Sequence, residues 1–196
     1  GINNVTAGAG SGITLTTGSN NLLLGHDAGR SGSPGGTVTT GSNRIALGDE
    51  NISNANIQVD WTVASDQRDK TDFNNLNLGL DFVNKLNPVT YKWDKRIKYV
   101  SNEDRETTDL DTVTNDGTHK EDWLDIGFKA QEVEALEIEA GYNKDNKTNL
   151  TVNISEDGKQ YGIQYAKFVP ILVNAIKELK AQNEDLKSRI ETLESN

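Results

Sequence analysis

Hydrophobic residues fall at alternate positions in the first part of the chain and change to three- and four-residue steps beyond residue 65. "TTGSNNLLLG" at 16–25 returns as "TTGSNRIALG" at 39–48, an offset of 23, with Leu22 and Leu24, then Ile45 and Leu47, at every second place and Gly at each turn. These are β repeats. One strand so short cannot cover its own apolar face, so the copies stack on each other or on identical chains, of which identical chains are preferred. "AGRSGSPGG" at 28–36 is a loop by composition. "IQVDWTV" alternates Ile57, Val59, Trp61 and Val63 with polar residues and predicts a strand running up to Ser65.

Past that point Leu76, Leu80, Val83 and Leu86 predict a helix that Pro88 ends, and Val89, Tyr91 and Trp93 alternate as a strand. Residues 101–120 are polar and acidic without a period, which predicts an exposed insertion or loop. Its "DLDTVTNDG" lacks the carboxylate and Gly spacing of an EF-hand. "DIGF" reads as a strand, and "KAQEVEALEIEAG" as a helix with Ala130, Val133 and Leu136 on one face and Gly141 as its left-handed terminus. Two alternating runs around Asp157-Gly158 predict a hairpin.

The last stretch is the most regular. With Val169 at position a, Val169, Ile176, Asn183 and Ile190 occupy a, and Leu172, Leu179, Leu186 and Leu193 occupy d, so seven of eight seam positions are apolar. A strict seven-residue repeat is narrower than the apolar stripe of a helix docked on its own domain, and it predicts a coiled coil. Arg189 at g and Glu194 at e meet across a parallel neighbour, and Asn183 fixes register. Ile at a with Leu at d favours two strands, whereas a shared β stem favours three; the stem ranks higher.

Composition narrows the function. The 196 residues are 34% hydrophobic and 26% charged, lean in apolar content for a globular domain, as suits an elongated or oligomeric protein. Residues 1–64 hold 12 of the 18 Gly and no Lys, with Arg30 and Arg44 their only basic groups, so they form a separate module. A net charge of -10 with no local basic run disfavours nucleic acid and anionic membranes. No disulfide or thiolate metal site exists without Cys, His26 and His119 are far apart in sequence, and neither metal nor cofactor is expected. Asp49 and Glu50 sit in a short turn and read as solvated, with no glycosidase pairing implied. With no Met anywhere, residue 1 is not a translation start, and a fragment or processed piece is expected.

From Trp61 onward the sequence resembles the C-terminal intramolecular chaperone of phage tailspikes, tail fibres and endosialidases, a self-cleaving family also found in the myelin regulatory factors. "SDQRDK" at 65–70, "LGLDFVNKLNPVTYKW" at 78–93, "IGFKAQEVEAL" at 126–136 and "YAKFVPILVNAIKEL" at 165–179 carry the resemblance, in family order. The insertion at 101–120 does not map onto it. The resemblance implies that three chains assemble and that the chain is then cut between Ala64 and Ser65, with Ser65 as nucleophile and Lys70 as base. A lysine accepts a proton only when neutral, so Lys70 is expected to be partly dry; Arg68 stays protonated and cannot replace it. Asp66 has two readings, an N-cap before a helical turn or a supporting part in catalysis.

The expected fold is α+β and trimeric, with a β-rich, triple β-helix-like stem end over 1–64, a mixed α/β chaperone and autoprotease domain over 65–164 and a C-terminal coiled-coil helix over 165–196. The expected function is to trimerise and template the folding of a phage fibre or tailspike, in the host cytoplasm, and then to leave by one self-cleavage. Its partners are identical copies, its own upstream stem and, through the parent protein, a host surface receptor. The alternative is a non-catalytic trimeric fibre or adhesin tip that binds such a receptor.

Overall fold

Three short segments of one kind, each Asn-x-apolar-x-x-Gly, build the N-terminal part. In the computed structural model, which describes residues 1–195, strands β1 (Val5–Ala7), β2 (Leu22–Leu24) and β3 (Ile45–Leu47) pair in parallel in the order β1-β2-β3. Val5, Leu22 and Ile45 stand in register. Asn3, Asn20 and Asn43, two residues before each strand, all take left-handed φ near +60° (59°, 58° and 62°), a conformation asparagine tolerates. Buried Asn21 ties the coils together, donating to Asn4 Oδ1 at 3.1 Å and to the Gly41 carbonyl at 3.0 Å while accepting from the Arg44 amide at 3.0 Å. These repeats therefore stack on each other within the chain, which overturns the preference for identical chains as their partner. The first copy, at 3–8, escaped notice because its central residue is Thr6 instead of an aliphatic.

The inward position is the middle residue of each strand. Leu23 and Ala46 form a buried cluster with Ala28 and Val38, to which Leu15 adds. Of the alternating pairs read from the sequence, Ile45 and Leu47 are exposed and Leu22 and Leu24 half-buried, and Val5, in register with Leu22, is exposed. This face of the sheet is an apolar surface.

The chain folds as two compact units. One comprises 1–56, 89–127 and 153–162. In it β4 (Val89–Tyr91) pairs antiparallel with β5 (Asp125–Gly127), as their sequence patterns predict. The insertion at 101–120 is not uniformly exposed: Arg105 and Leu110 are buried, because Arg105 meets carboxylates at the end of the β repeats and Leu110 starts a short 3-10 turn at 110–112. Asp49 and Glu50 are correspondingly not solvated; Glu50 receives both terminal nitrogens of Arg105, at 3.1 and 2.5 Å.

The other unit comprises 57–88, 128–152 and 163–195, and holds helices α1 (Leu80–Lys85), α2 (Ala130–Glu139) and α3 (Phe168–Glu194). Leu78, Phe82, Val133, Val152, Phe168 and Ile171 are its buried apolar residues of largest size, each contributing about 1.5–3 kcal/mol by removal from water. α2 ends as predicted, with Gly141 at φ +93°. α1 is shorter than its periodicity predicts and omits Leu76, since Asn174 Nδ2 of α3 donates to the carbonyls of Leu76 (3.2 Å) and Leu78 (2.9 Å). Strands β6 (Val152–Ile154) and β7 (Tyr161–Ile163) form the expected hairpin, turning at Gly158 with φ +78°.

α3 is one continuous helix whose buried residues are Phe168, Ile171 and Ala175. Its heptad seam is open in the single chain, with Ile176, Leu186, Ile190 and Leu193 all exposed.

Candidate functional site

A tight turn sets the geometry of "SDQRDK". Gln67–Asp69 forms a single 3-10 turn, with the Asp69 amide donating to the Asp66 carbonyl and the Lys70 amide to the Gln67 carbonyl, each at 3.2 Å. The turn folds the chain back so that Lys70, leaving it, lies beside Ser65, entering it. Lys70 Nζ donates to Ser65 Oγ at 2.7 Å. The structure thus joins two of the residues singled out from the sequence, and the bond between Ala64 and Ser65 adjoins the pair.

Asp66 is the N-cap of this turn. Its carboxylate accepts from the Arg68 amide at 2.9 Å and from the Arg68 guanidinium at 2.6 Å, bonds that hold its pKa below the usual carboxylate range. Arg68, raised in turn by Asp66, serves the turn and leaves Lys70 as the lysine at the hydroxyl.

One expectation fails in the single chain: residues 57–63 form no strand, because an alternating segment needs a neighbouring strand to receive its backbone groups. The drying expected of Lys70 belongs to the assembled oligomer; in the single chain residues 51–75 are exposed throughout, Ser65 and Lys70 included. The same run leaves Val59, Trp61, Val63 and Phe73 between 66% and 79% exposed, an apolar stripe on both sides of the Ser65–Lys70 pair that lacks cover.

Downstream, α3 supports the beginning of the domain. α1 starts after Gly79, which offers no side chain as a cap; Glu178 of α3 accepts the Leu80 amide at 2.7 Å instead. A Cβ on Gly79 would stand 2.1 Å from that carboxylate, so a side chain there displaces the end of Glu178 and its bond to the Leu80 amide. Sequence reading passed over Asn174 and Glu178; the signal available was two polar residues four apart on the side of α3 opposite its seam.

Glu137 is also missed by patterning. It is buried on α2 and accepts from the amides of Leu150 (3.1 Å) and Thr151 (2.6 Å) and from Thr151 Oγ1 at 2.5 Å. In the other unit, His26 Nδ1 lies 2.8 Å from Asp49 Oδ2. That bond and the charge of Asp27 raise the His26 pKa. Burial pushes the Asp49 carboxyl up, but hydrogen bonds from Asn51 and His26 outweigh it and hold the pKa at about 2.

Residues 65–142 match the model of the family described as the chaperone of endosialidase, which is named as a peptidase. This stretch holds three of the four sequence blocks, at 65–70, 78–93 and 126–136, and matches the intramolecular chaperone domain that they resemble; the fourth, at 165–179, lies beyond it. The family suggests an intramolecular chaperone role and self-cleaving serine peptidase activity. Among curated proteins none matches the chain.

Proposed function

We propose that this chain is an intramolecular chaperone that trimerises, templates the folding of the fibre stem before it and then cuts itself once between Ala64 and Ser65. The observation that carries the reading is the 2.7 Å hydrogen bond from Lys70 Nζ to Ser65 Oγ at the first residues of the matched domain. Ser65 Oγ attacks the Ala64 carbonyl carbon through a five-membered ring as neutral Lys70 takes the hydroxyl proton. The C–N bond breaks, its nitrogen gains a proton, and water opens the resulting ester to leave an Ala64 carboxylate and a new Ser65 amine.

In the lone chain the bond runs from the Lys70 amine to the hydroxyl oxygen, the reverse of what proton abstraction requires. Packing of three copies through the α3 seam and the apolar stripe at 57–63 is the event that removes water from Lys70, so the cut follows assembly. A stem locked by its neighbours then persists behind a kinetic barrier after the chaperone has gone. The setting is a virion tail fibre or tailspike precursor assembled in the host cytoplasm, with the host receptor engaged by the parent protein.

The test is mass spectrometry of the assembled protein. A fragment beginning at Ser65 is expected, and its loss in Ser65→Ala and in Lys70→Ala; persistence of the cut in either variant removes the dyad. The full exposure of Lys70 favours one other reading, a non-catalytic trimeric tip that binds a receptor, whose trimers stay whole indefinitely.

A further inference from the structure

The polypeptide on either side of the proposed cut is folded into one unit. Residues 1–56 lie upstream, residues 89–127 and 153–162 downstream, and the connection bearing the 64/65 bond leaves that unit at 57 and re-enters it at 89. Breaking the connection removes no contact inside the unit. What holds upstream to downstream there is chiefly charge and shape.

Arg105, from the insertion at 101–120, is the centre. Its side chain is 7% exposed and meets Glu50 (2.5 Å) and Asp27 (3.5 Å), whose own side chains are 8% and 4% exposed. Its Nε is buried without a hydrogen-bond partner among the described residues, which marks the pairing as enclosed by packing. Around it, Arg30 Nε donates to Glu106 at 2.7 Å, Lys95 Nζ to the Glu50 carbonyl at 2.7 Å, and the Gly41 amide to Glu156 at 3.1 Å. Shape agrees, since a Cβ on Gly32 would stand 2.4 Å from Ile97 Cγ1.

We propose that the 101–120 insertion is a clamp that keeps the chaperone piece bound to the stem end after the cut, so that hydrolysis and departure are separate steps. This rests on the cleavage reading for its biological setting and on the unit's own contacts for its physics. Arg105 cannot withdraw alone without leaving the enclosed Glu50 carboxylate without its charged partner, while Asp27 keeps Arg30 at 2.9 Å, so the pieces part only when the cluster around Glu50 is hydrated together. Truncating one partner of a buried, hydrogen-bonded charge pair acts mainly on the dissociation rate.

The experiment uses the full chain with Ser65→Ala and a site-specific protease recognition sequence in place of residues 57–63, nicked by that protease and followed by size-exclusion chromatography at low salt. The two pieces are expected to co-elute, and Arg105→Ala to speed their separation by roughly tenfold or more. Glu106→Ala, at the more exposed rim, guards against a misfolded Arg105 variant and is expected to speed separation measurably and to weaken its dependence on added salt. Immediate separation of the nicked parent overturns the clamp, as does a Glu106→Ala protein that separates at the parent's rate at every salt concentration. A native chain that never cuts itself, beside an engineered nick that leaves the pieces joined, sinks the dyad and spares the clamp.

Discussion

Lys70 Nζ and Ser65 Oγ lie 2.7 Å apart across a single 3-10 turn, and both side chains face water. Six residues of sequence suffice to build the pair, but nothing local dries it. Lys70→Arg separates the two requirements, because arginine keeps the charge and the donor while remaining protonated. Cleavage in this variant is expected to fall by about 10²–10⁴-fold, read as the rate of appearance of the Ser65 fragment by mass spectrometry.

Assembly is expected to control the same readout. Leu179→Asp with Leu186→Asp puts two carboxylates into the heptad seam of α3 and is expected to give monomers by light scattering. The domain's circular dichroism should persist while the Ser65 fragment disappears. Monomers that cut at the parent's rate would detach the chemistry from assembly.

The cap that Glu178 provides to α1 is a stability element of the chaperone domain. Glu178→Ala is expected to cost about 1–2 kcal/mol in denaturant unfolding, the value of a lost helix N-cap. Gly79→Ala is expected to cost no more than this, since its Cβ meets only the movable end of the Glu178 side chain, at 2.1 Å, and displaces it from the Leu80 amide.

Glu137 satisfies three donors at once. Glu137→Ala leaves the Leu150 and Thr151 amides and the Thr151 hydroxyl without their acceptor, and a loss of about 3 kcal/mol or more is expected in the same measurement. Thr151→Val removes one of these bonds and is expected to cost about 1 kcal/mol.

The His26–Asp49 pair gives the β repeats a pH dependence whose sign follows from the two shifts. Asp49, held at about 2, contributes stability that is complete above the ordinary carboxylate range and is lost as pH falls towards that value. His26, raised above 6.5, contributes stability that is complete below 6.5 and is lost as pH rises through its folded pKa. Thermal unfolding followed between pH 4 and 9 is therefore expected to show a small decline on the alkaline side that His26→Ala abolishes. Its exposed imidazole keeps the effect small.

Elements were legible wherever one residue type dictates the local backbone. Gly141 and Gly158 mark the end of α2 and the β6–β7 turn because both positions require positive φ. The heptads of α3 gave a continuous helix for the same local reason, a period that only a helix can serve. The Ser65–Lys70 pair was legible too, through its block and not its spacing. Arg105, Asp49 and Glu50 were misjudged, since a charge looks solvated until its partner is known, and Arg105 finds Glu50 across 55 residues. Asn174 and Glu178 stayed hidden because their partners are backbone groups of a distant segment.

Sequence by itself determined the turns, the helices, the strand repeats and the chemical identity of the pair at the seam, all properties set within a few residues by dihedral preference and periodicity. Tertiary structure alone decided that the repeats stack within one chain, that the acidic insertion buries an arginine against the end of the β repeats, and that a single copy leaves Lys70 in water. Those outcomes depend on which distant groups meet and how much water they exclude, and no local pattern encodes either.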